Sequence, residues 1–385
     1  MRPVIEALSG SKIREVANAG IGRPDVLAFW FGESDEPTPD FIRQAAERSL
    51  AAGETFYAHN LGLPELREAI AGYVGALHGP VAADRVAVTS SGVNALMLAM
   101  QALAGAGDEV VAVVPVWPNL TAQPAILGAR VTRVPLHVVG GAWQLDMAAL
   151  LHAVTGDTRV LLVNAPNNPT GWTLTRAEQE AILAHCRRTG TWIVADEVYE
   201  RVYFEAGQRS APSFLDIACA EDRLVVVHSF SKSFLMTGWR LGWMVVPQQL
   251  IEPIGKLIEF NTSCAPVFVQ RAGLAALSAA EAFVPGLVER LKLCRDTLLP
   301  RLAALPGVLT AVPAGGMYAF FRVEGENDSL AFAKRLVVEA GLGLAPGVAF
   351  GAEGEGWLRW CFASREPARL EEGVRRLAAA LRAGR

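Results

Sequence analysis

Short apolar runs at Val86 to Thr89, Val110 to Val114, Val160 to Val163, Leu224 to Val227 and Trp243 to Val246 punctuate the chain. The run T-W-I-V-A, ending at Ala195, belongs to the same series. Between the first two, Ala95, Leu96, Ala99, Met100 and Leu103 keep the spacing of a helix face. Strands this uniformly apolar have no side to show to water. Alternating with helices, they predict a mostly parallel sheet covered on both faces, an α/β fold.

After about Ala280 the rhythm changes. An amphipathic helix is expected over Ala282 to Leu302, kinked or frayed near Pro300. Val308 to Val312 and Tyr318 to Val323 read as antiparallel strands. A helix over Leu330 to Ala340, a strand at Trp357 to Ala363 and a helix from Pro367 follow. The expected organisation is therefore a large domain over 41–280 and a smaller α+β domain over 281–385. The segment 1–40 joins the smaller one.

With 385 residues, 51% of them hydrophobic, the chain can bury a large core. Its net charge of −4 argues against nucleic acid or an anionic membrane as partner. No run is long enough to span a bilayer, and the first twelve residues lack the apolar stretch of a signal peptide. The five scattered cysteines suit reduced thiols in the cytoplasm. The six histidines form no ligand motif, so no metal is expected.

Several candidate site residues stand where strands end, the place where ligands gather in open parallel sheets. Ser90, Ser91 and Gly92 make a small-residue turn before a helix, which bares N–H groups to a phosphate or serves as an ordinary turn. Trp117 either covers an aromatic ring or fills space under a loop. Asp196 either meets a ligand cation or is solvated. Gly32, after the β-rich run Val26 to Phe31, either admits a ligand to the backbone or turns the chain. Asp40 is expected to cap the helix Phe41 to Ala51, and Thr175 with Glu178 to form a capping box.

The stretch S-F-S-K-S-F-L-M-T-G-W-R, Ser229 to Arg240, gives these candidates a centre. Lys232 follows a buried strand, Ser229 precedes it by three residues and Arg240 follows it by eight. One reading makes Lys232 hold an aldehyde cofactor as an imine while Ser229 and Arg240 grip its phosphate. The other makes it one more surface lysine.

The ordered set F-G-E-S-D-E-P-T-P, Y-A-H-N-L-G-L-P-E-L-R, V-T-S-S-G-V-N-A-L, P-N-N-P-T-G, A-D-E-V-Y, S-F-S-K-S-F, G-W-R-L-G-W and L-R-W-C-F-A spans nearly the whole chain. Together they resemble the class I/II aminotransferases, fold-type I enzymes that depend on pyridoxal 5'-phosphate. The resemblance implies a seven-stranded, mostly parallel sheet in the large domain. It implies Lys232 as the Schiff-base lysine and proton shuttle, Asp196 as partner of the pyridine nitrogen, and Asn168 and Tyr199 as partners of the ring hydroxyl. Trp117 matches the stacking position, and Ser91, Gly92, Val93, Ser229 and Arg240 match the phosphate cup. Tyr57 is similar to a tyrosine that reaches the phosphate from a neighbouring subunit, which implies a homodimer. Arg359 matches the arginine that takes the substrate α-carboxylate, assisted by Asn168 and the backbone at Gly32.

The implied reaction is ping-pong transfer of an amino group between an α-amino acid and a 2-oxo acid. The phosphate turn, S-S-G-V, carries less glycine than is common among relatives. No second arginine is placed for a side-chain carboxylate, so dicarboxylic substrates are not singled out. A C–S lyase, a decarboxylase or a cyclopropane-forming synthase would share the same cofactor residues. A ligand-sensing regulator would need a DNA-binding module, for which the N-terminal segment is too short.

Overall fold

The computed structural model describes residues 1–383. Eight strands form the main sheet, in the order Val86–Thr89, Gly242–Val245, Leu224–Ser229, Trp192–Asp196, Thr158–Asn164, Glu109–Val114, Arg130–Val139, Ala142–Leu145. The five from Leu224–Ser229 to Arg130–Val139 run parallel. Gly242–Val245 is antiparallel to Leu224–Ser229 and to Val86–Thr89. The count exceeds the expected seven by Ala142–Leu145, which returns antiparallel along Arg130–Val139. Gly140 and Gly141, both at positive φ, make the turn. Only Trp143 and Leu145 of that strand face inward, too short an alternation to stand out in the sequence.

The helices begin and end where backbone chemistry dictates. Thr175 and Glu178 form the capping box of Arg176–Thr189, and Gly190 closes that helix in the left-handed conformation. Asp40 is not the cap. The helix Asp40–Ala51 begins one residue earlier than expected, with Pro39 at the cap and Asp40 as a first-turn acid bonded to Arg43. Ala280–Ala303 contains Pro300 and ends three residues beyond it. Helices Asn119–Leu127, Gln248–Glu259 and Val267–Ser278 carried no sequence expectation; the first two have a proline inside.

A second sheet, in the order Val308–Thr310, Tyr318–Val323, Trp357–Cys361, Ala345–Pro346, is antiparallel throughout. Helices Ser329–Ala340 and Pro367–Ala383 accompany it. Of the expected strand Val26 to Phe31, only Leu27–Ala28 pairs, in parallel with Leu342–Gly343. Gly343 is required there, because a Cβ would stand 2.1 Å from the Trp30 ring. This pairing carries Trp30, Phe31 and Gly32 over the end of the second sheet and toward Lys232.

Among the described residues no single helix is long and apolar enough to cross a membrane. One bent pair, Val267–Ser278 with Ala280–Ala303, passes by length and composition alone.

Candidate active site

Lys232 lies in a single helical turn, Phe230–Ser233, directly beyond the strand Leu224–Ser229. Its Nζ donates to the carbonyl of Gly32 at 2.6 Å and lies 5.5 Å from the centre of the Tyr199 ring. Burial lowers its pKa to about 8. A useful fraction of the amine is thus unprotonated and nucleophilic near neutral pH.

Asp196 ends the neighbouring strand and is 2% exposed. Burial pushes its carboxyl up to about 7, against the pull of the Val198 N–H and the charge of Lys232. Among the described residues, the one hydrogen bond to its carboxylate comes from Val198 N, at a long 3.4 Å. A carboxylate held this way lacks a close cation, and a protonated ring nitrogen would supply one.

Tyr199, three residues on, is buried, and its hydroxyl lies 2.6 Å from that of Tyr318. Burial, then the proximity of Tyr318, raises its pKa well above the ordinary value. It stays a proton donor throughout the working range. Asn168 belongs to the P-N-N-P turn, and its Oδ1 accepts from Arg359 Nη1 at 2.9 Å. Its amide nitrogen is left available to donate.

Arg359 is 2% exposed. Its Nη2 donates to the Trp30 carbonyl at 2.5 Å, and its Nε has no partner. The guanidinium lies 4.4 Å from the centre of the Tyr318 ring and 4.9 Å from that of Phe350. Among the described residues no carboxylate pairs with it. A buried, unpaired guanidinium with a free N–H is costly unless an anion completes it.

The phosphate-cup candidates converge on the start of the helix Gly92–Leu103. Ser91 caps it, its Oγ accepting from Asn94 N at 3.1 Å. The N–H groups of Gly92 and Val93, ahead of any intrahelical acceptor, stay free for an anion. Ser91 takes φ 138°, a region that favours glycine. The departure from a glycine-rich turn therefore leaves the backbone path intact and places strain on Ser91 instead. Ser229, with its Oγ accepting from Ser231 N at 3.1 Å, abuts the turn. A Cβ on Gly92 would lie 3.3 Å from Ser229 Cβ, and one on Gly242 would lie 2.5 Å from Gly92 N. Gly242 is thus the residue that lets the turn sit on the sheet, and the sequence reading passed over it.

Arg240, in left-handed conformation, uses one nitrogen on the Thr237 carbonyl at 2.7 Å, and among the described residues no carboxylate pairs with it. A cleft of about 820 Å³ reaches it and Ser90, lined also by Glu33, Glu36, Thr38, Leu235 and Trp239. Lys232 and Asp196 are not among the residues that line this cleft, which is bordered by Ser90 of the small-residue turn and the phosphate-cup candidate Arg240. Trp117 is half-buried, its N–H bonded to the Asn168 carbonyl at 2.8 Å. Tyr57 stands apart from the rest, 89% exposed beside Phe56 at 83%.

Behind Asp196 lies a buried ionic group that the sequence did not reveal. His78 bonds Glu200 at 2.8 Å and Asp216 at 2.9 Å. Burial opposes its charge, but those two bonds prevail and hold its pKa at about 10. Glu197, Glu200 and His228 bring potential metal-ligand atoms within 4.8 Å of one another. Glu197 is nevertheless occupied by Ser213 Oγ and Phe214 N, and Glu200 by His78.

These donors fit pyridoxal phosphate: a depressed amine, a lone buried carboxylate, ring-oxygen donors and a baring of N–H groups at a helix start. The comparisons agree. The family model for aminotransferases of class I and II matches residues 24–377. The aspartate aminotransferase of Pyrococcus horikoshii is 33% identical over 96% of this chain and 94% of its own length. A probable aspartate/prephenate aminotransferase of Aquifex aeolicus is 35% identical over 96% of this chain and 94% of its own. The solved structure of a single mutant of Thermus thermophilus aspartate aminotransferase superposes with a TM-score of 0.91 at 31% identity, covering 98% of this chain and 99% of that one. With a match across that span, the chain belongs to the class I and II aminotransferases, and is a pyridoxal-phosphate-dependent aminotransferase of fold type I.

Proposed function

We propose that the chain moves an amino group from an α-amino acid to a 2-oxo acid in the pocket bounded by Lys232, Asp196 and Arg359. Pyridoxal phosphate, when bound there, supplies an electron sink for the pair left by the breaking Cα–H bond. Lys232 holds the cofactor's aldehyde until substrate arrives. Its freed Nζ would then be placed to carry the proton lost from the substrate Cα. Asp196 keeps a proton on the ring nitrogen. Asn168 and Tyr199 donate to the ring oxygen, and Trp117 lies against the ring.

Ser91, Gly92, Val93, Ser229 and Arg240 grip the phosphate, with Tyr57 of the partner subunit completing it in a homodimer. The exposure of Phe56 and Tyr57 supports a shared interface. Arg359 takes the substrate's α-carboxylate in a paired geometry that a lysine cannot offer, beside Asn168 and Gly32. We place the large domain at 41–280, the small domain at 281–385 with residues 1–40, and the enzyme in the cytoplasm.

The observation that carries this reading is Arg359, a buried guanidinium that, among the described residues, has one N–H unpartnered and no acid beside it. The names of its relatives make aspartate the first donor to try, with aromatic amino acids second, after the enzyme of Thermococcus litoralis. Arg290, whose partner Glu36 lines the cleft, is already paired. A panel of amino acids mixed with purified holoenzyme tests the proposal. Conversion of the cofactor to its aminated form, reversed by a 2-oxo acid, is the expected result. Release of pyruvate and ammonia without an acceptor would replace it with a lyase.

A further inference from the structure

Tyr318 was absent from the sequence-derived site, yet it touches three of its parts. Its hydroxyl is 2.6 Å from that of Tyr199. Its ring lies 4.4 Å under the Arg359 guanidinium. A Cβ on Gly32 would stand 2.1 Å from its oxygen. It is fully buried, on the strand Tyr318–Val323, which pairs with the strand that carries Arg359.

We propose that Tyr318 is a positioning residue that sets the strength of Tyr199 as a donor to the cofactor's ring oxygen. This rests on the role given to Tyr199 above. Between two hydroxyls only one proton lies in the shared hydrogen bond. Once the Tyr199 proton is committed to a ligand oxygen, the Tyr318 hydroxyl must turn its own proton toward Tyr199. A donor that is itself a hydrogen-bond acceptor is polarised and donates more strongly. The Tyr318 ring cannot swing away, because Arg359 lies over it and Gly32 leaves no room beyond the hydroxyl. The same residue that cushions the carboxylate grip therefore fixes the orientation of the Tyr199 proton.

A stronger donor favours the charged form of the ring oxygen and weakens the hold of the adjoining nitrogen on its proton. Tyr318→Phe keeps the ring under Arg359 and removes only the hydroxyl. In the holoenzyme, the pH midpoint of the bound cofactor's absorbance change is expected to rise by about one unit, a tenfold change in proton affinity. KM for the amino acid is expected to stay within about twofold, since the Arg359 contact survives. Tyr199→Phe is expected to raise the midpoint further, and adding Tyr318→Phe to it to change nothing more.

An unchanged midpoint in Tyr318→Phe, or an equal shift with and without the Tyr199 hydroxyl, overturns the inference. No shift in Tyr199→Phe itself overturns the role of Tyr199 instead, so the two failures are distinguishable. Should Tyr318→Phe not fold, Tyr318→3-fluorotyrosine replaces it. Its more acidic hydroxyl is expected to lower the midpoint, and a rise would overturn the inference.

Discussion

Lys232 Nζ donates to the Gly32 carbonyl at 2.6 Å, joining residues two hundred positions apart. The amine proposed to do the chemistry is thus anchored by backbone from the N-terminal segment. Substitution at Gly32 should be felt at Lys232. Gly32→Ala would drive a Cβ to 2.1 Å from the Tyr318 hydroxyl, so the segment must move. A loss of about 1–3 kcal/mol in stability by denaturant titration is expected, together with a lower kcat.

On the proposed mechanism, Lys232→Ala removes both the covalent anchor and the proton carrier. Turnover is expected to fall by about 10⁴-fold or more, and borohydride should no longer fix cofactor to the chain. In the wild type, the free-amine fraction grows as pH rises through about 8. The rate at which cofactor-free protein captures pyridoxal phosphate should therefore rise with pH and level off above that point. A rate flat between pH 6 and 9 would contradict the depressed amine.

Asp196 makes a stability prediction with a definite sign. Its carboxyl is raised by burial from 3.8 to about 7 in the folded chain. Its contribution is most favourable below the unfolded pKa and is lost as pH climbs through about 7. Cofactor-free Asp196→Asn should thus be more stable than wild type at pH 8, by a few kcal/mol at most, with the advantage vanishing toward pH 4. In the holoenzyme the same change should cost about 10²–10³-fold in kcat, measured by steady-state kinetics.

Arg359→Lys keeps a positive charge but loses the paired N–H geometry. We expect kcat/KM for the amino donor to drop by about 10²-fold or more, an estimate taken from losing a charged hydrogen bond. The loss should lie mainly in KM, read from initial rates over a range of amino acid.

Tyr57 contributes nothing to the pocket of its own chain, being 89% exposed. If it serves the partner's phosphate, Tyr57→Phe should raise the cofactor Kd several-fold, on the order of one neutral hydrogen bond. Mixed dimers of Tyr57→Phe with Lys232→Ala should then show one impaired kind of site, resolved by titrating cofactor into the hybrid. A monomer by sedimentation would remove the role.

The sequence exposed the parallel core because its strands are buried on both faces and so read as unbroken apolar runs. Ala142–Leu145 escaped because four residues with two inward side chains give no period to count. Lys232, Asp196 and Arg359 were named as candidates through motifs whose order is more telling than any member. Tyr318 was not, because a tyrosine in an apolar strand looks like core; its contacts with Tyr199, Arg359 and Gly32 mark it only in the folded chain. The His78–Glu200–Asp216 group was invisible for a related reason: its members are 138 residues apart at the extremes and meet only on folding. The exposed Tyr57 was named by resemblance alone, and a single chain gives it no neighbour.

The parallel stitch between Leu27–Ala28 and Leu342–Gly343 has a practical corollary for anyone trimming this molecule. Deleting the first thirty residues would strip away the Trp30 carbonyl that receives Arg359 and loosen the seam beneath it. Such a shortened protein would keep its central sheet and could pass for well folded by circular dichroism, while recognising amino acids poorly.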